Sequence, residues 1–366
     1  MQLAVFSAKP YDKKYLTSAR ATELNNNSTT SSTSTSTSTT TDIEVVYHEF
    51  ALSLETVSLA KGASAVCVFV NDDLGAPVLS SLHASGVRAV LLRCAGFNNV
   101  DLGAAQALGL FVAHVPAYSP EAVAEFAVAQ IQTLNRHTHR AYNRVREGNF
   151  SLQGLLGRTL HGKTVGVVGT GRIGVAFARI MTGFGCRLLA HDVFENPEFA
   201  EGCGGAYVPL EELLAASDFV SLHCPLTEKT RHIINDETLE RMKPGAMLVN
   251  TSRGGLIDTR AVIAALKRKH LGGLALDVYE GEGALFYNDH SGHIIDDDEL
   301  MRLTTFHNVL VCGHQAFFTE EALREIAEGT MENLNDFLRG RQCKYALVQD
   351  QVGKPLVRKE SVPIRI

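Results

Sequence analysis

The sequence predicts an α/β fold of the doubly wound kind, and three observations carry that expectation. Short runs that are apolar on both faces recur along the chain, as in parallel sheets covered by helices on each side. Capped helical stretches alternate with them. One run, TVGVVG, leads straight into a glycine pattern, GxGxxG, that opens a helix.

The elements follow in order. MQLAVFSAKPYDKKY reads as a first strand running into a helix over Lys13–Leu24. Residues 25–41, NNNSTTSSTSTSTSTTT, cannot bury apolar area and are expected to be a disordered surface insertion without effect on the chemistry. Such an insertion is cheap, because lengthening a loop to this extent costs only about 1 kcal/mol of closure entropy. Ile43–Glu49 is the next expected strand. AVCVFV (65–70), AVLLRCA (89–95), LFVAHV (110–115), TVGVVG (164–169), RLLAHD (187–192), FVSLHC (219–224), AMLVN (246–250), LGGLALDV (271–278) and NVLVCGH (308–314) complete the set. Asp258 caps the helical stretch DTRAVIAALKRKH, with Gly272 beyond its end. Ser119-Pro120 opens a longer helix that the sequence lets run to Gly148, roughly 40 Å at 1.5 Å per residue, long enough to bridge domains or subunits.

Composition narrows the function. The chain has 366 residues, 45% of them hydrophobic, and a formal net charge of -6. That is enough for two domains. No basic stripe is present, so nucleic acid is not an expected partner. No signal-peptide or transit-peptide layout is seen at the start, and no apolar run reaches membrane-spanning length. Seven scattered cysteines, without metal-ligand spacing, read as buried free thiols in a reducing cytosol, which places the expected location in the cytoplasm.

The glycine pattern consists of Gly169, Gly171 and Gly174, and Asp192 ends the following strand. Gly169 permits the tight turn, Gly171 lets a pyrophosphate approach the backbone, and Gly174 lets helix and strand pack closely. The helix start offers free N–H groups to phosphate oxygens. Asp192 would accept from a ribose 2′-OH and repel a 2′-phosphate, which favours NAD over NADP.

In doubly wound sheets, ligands bind beyond the carboxyl ends of the strands. Three such ends carry reactive residues: Arg253 after AMLVN, the acidic stretch DVYEGE after LAL, and His314 after NVLVCG. Any one of them has an ordinary structural reading. Together, downstream of a dinucleotide fingerprint, they suit hydride transfer to a 2-keto acid. A guanidinium fork would hold the carboxylate and polarise the ketone, an imidazole would deliver the proton, and a carboxylate would hold the imidazole.

At these residues the chain resembles the D-isomer-specific 2-hydroxyacid dehydrogenases, and among them the D-lactate dehydrogenase branch. The matching stretches are LRCAGFNNVDL (92–102), VPAYSPEAVAEFA (115–127), GVVGTGRIG (166–174), HCPLT (223–227), NTSRGGLID (250–258), ALDVYEGEGALFYND (275–289) and GHQAFFT (313–319). The resemblance implies a Rossmann nucleotide domain, 118–316, inserted into a flavodoxin-like substrate domain formed by 1–117 and 317–366, with the active site in the cleft between them. It implies Arg253, Glu282 and His314 as the catalytic set, and selects Glu282 over Glu280 as partner of the histidine. It assigns Gly169, Gly171, Arg172, Ile173, Gly174 and Asp192 to NAD, joined by Cys224, Pro225, Thr230, Thr251, Ser252 and, at the nicotinamide end, Asp277. Ala95, Gly96, Tyr118 and Phe317 would meet the substrate, and the long helix from Pro120 would serve a homodimer. Gly283 after the acid, and Gln315-Ala316-Phe317-Phe318 after the histidine, set the chain apart from the phosphoglycerate and formate branches. The expectation is therefore reversible, NADH-dependent reduction of pyruvate to D-lactate. The alternatives are a dehydrogenase of bulkier keto acids, such as 2-ketoisocaproate or phenylpyruvate, and a nucleotide-sensing corepressor-like scaffold. Phe286 and Tyr287 mark the branch without an evident physical role.

Overall fold

In a computed structural model of the chain, residues 1–29, 43–351 and 354–355 are described. They divide into two compact units, one built from Met1–Ser119 and the residues from Thr319 onward, the other from Pro120–Phe318.

The first unit holds β1 (Gln2–Val5), β2 (Glu44–Tyr47), β3 (Ala65–Val68), β4 (Ala89–Leu92) and β5 (Phe111–His114). Their spatial order is β2-β1-β3-β4-β5, all parallel, which is the flavodoxin-like winding. A strand at Ala346–Val348 adds to the β5 edge antiparallel, with a register shift. It was not foreseen, because three residues at the edge of a sheet give no periodicity to read.

The second unit holds β6 (Thr164–Val168), β7 (Arg187–His191), β8 (Ala206–Tyr207), β9 (Phe219–Leu222), β10 (Met247–Asn250), β11 (Gly273–Leu276) and β12 (Val309–Val311). The order β8-β7-β6-β9-β10-β11-β12, all parallel, places the winding reversal between β6 and β9. That is the Rossmann order carrying one further strand. The two-faced apolar pattern has a direct cause. In β10, Leu248 packs into one hydrophobic layer while Met247 and Val249 pack into the layer on the opposite face. Each such side chain contributes about 1.5–3 kcal/mol by leaving water, so a strand apolar on both sides is stable only between two helical layers.

Two expectations need correcting. The first helix runs from Pro10 to Thr29, beyond the expected end at Leu24, so residues 25–29 of the stretch expected to be disordered are helical. Once a helix is nucleated, adding a turn costs little even for Asn and Ser. Residues 30–41 of that stretch lie outside the described residues, as does the tail beyond 355. The long helix from Pro120 is two helices, Pro120–Arg136 and Thr138–Arg146. His137 between them has φ 53° and ψ 33°, a left-handed conformation that cannot continue the i→i−4 ladder. The first piece is thus about 25 Å long, and its buried face packs in the hydrophobic layer that covers β6.

Candidate active site

The glycine loop closes as its spacing requires. Gly169 has φ 97°, and a Cβ there would stand 2.5 Å from the backbone nitrogen of Cys224. A Cβ on Gly174 would stand 2.1 Å from the Gly169 carbonyl oxygen, so only glycine permits the helix to approach the loop this closely here. Gly171 precedes the helix Arg172–Gly183 and gives it no side-chain cap, which leaves the first-turn N–H groups to the solvent side. Arg172 is exposed and Ile173 half-buried at that start. Asp192 takes two bonds on Oδ2, from the N–H of Thr170 at 2.6 Å and its hydroxyl at 3.0 Å. Its Oδ1 accepts from the N–H of Phe194 at 3.2 Å.

The turn after β9 is also tied down. Thr230 donates its hydroxyl to the Pro225 carbonyl at 2.6 Å, and Ser252 donates to the carbonyl of the buried Cys224 at 2.7 Å. The hydroxyl of Thr251 is buried without a hydrogen-bond partner among the described residues. An uncapped helix start, a carboxylate at the end of the second strand and an unsatisfied hydroxyl at the end of β10 together fit a dinucleotide.

The catalytic candidates stand on neighbouring strand ends of the same sheet. Arg253 follows β10 in extended conformation, half-buried, its Nη1 donating to the Ser252 carbonyl at 2.8 Å. Asn250 shapes the bend, accepting from the N–H of Ser252 at 3.0 Å and donating to the Arg253 carbonyl at 2.8 Å. The next residue, Gly254, lies directly on the backbone of Tyr279 and Glu280, where a Cβ would approach to 2.1 Å. The arginine turn therefore packs on the acidic segment.

That segment presents Glu282 to His314. Oε1 lies 2.8 Å from Nδ1 of His314, and Oε2 accepts from the N–H of Tyr279 at 2.8 Å. Because a carboxylate oxygen faces it, Nδ1 is the donor, and Nε2 is left for other work. Both side chains stay about one-fifth exposed, at 19% for the histidine and 20% for the glutamate. Asp277 is fully buried and spends both oxygens on the histidine loop, Oδ1 on the N–H of Gln315 at 2.9 Å and Oδ2 on that of Ala316 at 2.8 Å. Burial raises its carboxyl above the usual range, against the pull of those two bonds. Asp277, expected beside the nicotinamide, thus clasps the loop that carries His314.

Glu280 is not a merely solvated acid. It pairs with Arg231 and lies 3.0 Å from Nε2 of His232, which ties the acidic segment to the turn after β9. Tyr287 acquires the role its sequence did not reveal. Its hydroxyl donates to the His314 carbonyl at 3.2 Å, and its ring lies 5.7 Å from the imidazole. Both residues are in the left-handed region, at φ 68° and 57°, a rare conformation for side chains of this size. Phe286 anchors this corner among Tyr279 and Leu300. Phe317 is buried and stands edge-on to the half-exposed Phe318, their centroids 6.1 Å apart.

In the first unit the turn after β4 carries Ala95, buried, and Gly96, half-buried. Below it Arg93 is 2% exposed, donates Nε to Asp12 at 3.0 Å and Nη2 to the Ser7 carbonyl at 2.9 Å, and lies over the Phe69 ring. Asp72, 1% exposed, accepts from the Ser7 hydroxyl and the N–H groups of Leu52 and Phe69. The one sequence signal for this set is a charge, Arg93, inside an otherwise apolar run. Tyr118 is half-buried shortly before the second unit begins.

Residues 128–316 match the family described as D-isomer specific 2-hydroxyacid dehydrogenase, NAD binding domain. Over its whole length the chain is 64% identical to 2-hydroxyacid dehydrogenase A of Aspergillus oryzae, covering all of both chains. It is 63% identical to D-lactate dehydrogenase kk1H of Curvularia clavata, over 95% of this chain and 96% of that one. Among solved structures, the apo form of D-lactate dehydrogenase from Escherichia coli superposes with a TM-score of 0.83 at 48% identity, covering 95% of this chain and all of that one. No helix among the described residues is long and apolar enough to cross a membrane. The chain belongs to the D-isomer specific 2-hydroxyacid dehydrogenases, in their D-lactate dehydrogenase branch, and is an NAD-dependent oxidoreductase.

Proposed function

We propose that this enzyme reduces pyruvate to D-lactate with NADH, reversibly. The observation that carries the reading is the 2.8 Å contact between His314 Nδ1 and Glu282 Oε1, on a loop that Asp277 and Tyr287 hold from both sides. NAD, when bound in its reduced form, supplies the hydride. Arg253 binds the substrate carboxylate and polarises the ketone through its fork of donors. His314 gives the Nε2 proton to the oxygen as it becomes an alkoxide, and Glu282 stabilises the imidazolium from the other side of the ring. In lactate oxidation the same nitrogen takes the proton back. Ala95 and Gly96 offer backbone N–H groups to the carboxylate, and Tyr118 and Phe317 border the methyl group. Gly169 to Gly174 take the pyrophosphate, Asp192 the adenosine ribose, and Cys224, Pro225, Thr230, Thr251 and Ser252 line the rest of the dinucleotide groove.

The working form is a homodimer in this reading. Phe150, Leu152 and Leu156 are 75%, 82% and 92% exposed in one short stretch beside the helix Thr138–Arg146, whose Tyr142 and Val145 are exposed as well. An apolar strip of that density calls for a partner surface. All seven cysteines are free thiols, in keeping with a reducing cytoplasm.

The test is NADH oxidation with pyruvate, 2-ketoisocaproate and phenylpyruvate, with the chirality of the product determined. Pyruvate should have the highest kcat/KM and yield D-lactate. A tenfold or greater preference for the bulkier acids would overturn the substrate assignment. NADH binding without turnover of any keto acid would revive the scaffold alternative.

A further inference from the structure

The turn after β4 has an arrangement that the catalytic reading does not use. Three successive carbonyls are held from the protein side. That of Cys94 accepts from the Val115 N–H at 3.2 Å, that of Ala95 lies 2.9 Å from Nδ1 of His114, and that of Gly96 takes the Cys94 thiol at 3.2 Å. The N–H groups of the same three peptide units, on Ala95, Gly96 and Phe97, have no acceptor among the described residues. In a planar trans peptide, C=O and N–H point in opposite directions, so a group that fixes a carbonyl also aims the N–H behind it. His114 is well placed to do this. It ends β5, is 3% exposed, and is wedged edge-on against Phe97 with centroids 5.4 Å apart. Asn333 donates to its backbone carbonyl at 2.9 Å. A carbonyl oxygen can only accept, so Nδ1 carries the proton in this contact.

We propose that His114 is a positioning residue for substrate. By holding the Ala95 carbonyl it aims the Gly96 N–H away from the interior, as a donor to the carboxylate of the 2-keto acid. This rests on the assignment of the 95–96 turn to the substrate carboxylate made above. Nothing in the step depends on protonating His114, and burial in fact lowers its tendency to charge.

The experiment compares His114→Leu and His114→Asn with the wild type. Leu keeps an apolar side chain of similar bulk without a donor. Asn places an amide nitrogen near the position of Nδ1. Steady-state pyruvate reduction is measured together with binding of oxamate, an unreactive isostere of pyruvate, to the enzyme loaded with NADH. In His114→Leu, KM for pyruvate and Kd for oxamate should each rise about tenfold, with kcat within threefold and Kd for NADH within twofold. In His114→Asn most of the loss should be recovered. With methyl pyruvate, whose ester carries no negative charge, wild type and His114→Leu should have similar KM. Unchanged oxamate affinity in a folded His114→Leu protein would overturn the inference. So would an Asn variant as impaired as Leu, since packing alone would then explain the loss, or an equal loss with methyl pyruvate. A wild type that does not reduce pyruvate at all would overturn the functional reading itself, whereas a competent wild type with a silent His114→Leu overturns this inference alone.

Discussion

The carboxyl ends of the two parallel sheets use charge in opposite ways. In the nucleotide-binding unit, Arg253, Glu282 and His314 remain partly exposed, and their ion pair and turns leave donors facing outward. In the other unit the charges at the strand ends are sunk. Arg93, Asp12 and Asp72 are all below a tenth exposed and are turned on one another and on backbone groups, so that what the nearby turn offers outward is peptide N–H. Strand ends in the two windings thus carry partly exposed ionisable groups, proposed above for the chemistry, in one case and a buried brace in the other. A charge that must change partners during turnover has to keep some access to solvent and substrate. A bracing charge gains from a low dielectric to the extent that its contacts are made, and in Arg93 Nε and Nη2 are paired while Nη1 is buried without a hydrogen-bond partner among the described residues.

This contrast can be broken by substitution, beginning where the effect should be greatest. Arg93→Leu leaves the Asp12 carboxylate buried without its partner, and should lower unfolding free energy by about 3–5 kcal/mol in urea titration. A loss below about 1 kcal/mol would show that this pair is not a brace. Arg253→Lys keeps the charge and loses the fork. It should cost about 2–5 kcal/mol in kcat/KM for pyruvate while leaving the unfolding midpoint nearly unchanged. If the stability loss matched the kinetic loss, the division between working and bracing charges would fail. Asp277 is the intermediate case, a buried acid that holds the loop carrying His314. Asp277→Asn turns an amide N–H₂ toward one of two backbone donors, so stability should drop by about 1–3 kcal/mol, accompanied by a fall in kcat. Glu280→Gln touches a surface ion pair and should change stability by less than about 1 kcal/mol, with kcat/KM within about twofold.

Much of this was legible in the sequence for a physical reason. Strands covered on both faces must be apolar throughout, so β3 through β7 and β9 through β12 stand out as runs, and glycines that bring two backbones into contact keep a fixed spacing. Arg253 and His314 could be picked out because each follows such a run, as does the acidic stretch DVYEGE, within which the family resemblance alone selects Glu282. What was not legible depends on contacts between distant segments. The break at His137 is a single backbone dihedral inside a helical pattern. Glu280 is set aside by the resemblance, and its partners Arg231 and His232 lie 49 and 48 positions away on a turn that only the fold brings against it. The resemblance assigns Asp277 to the cofactor, and its hold on the backbone of the histidine loop is a contact between distant segments that its position alone does not reveal. Tyr287 and His114 act through another residue's backbone carbonyl, and no spacing rule reports that.

The central claim is that Glu282 and His314 act as one unit, and a double-mutant cycle on kcat/KM for pyruvate, with Glu282→Gln, His314→Asn and the double variant, tests it most directly. If the glutamate works through the imidazole it faces, its loss should cost about tenfold or more in the wild-type background and almost nothing once His314 is Asn. Losses that simply add, with Glu282→Gln costing as much without the imidazole as with it, would contradict the account.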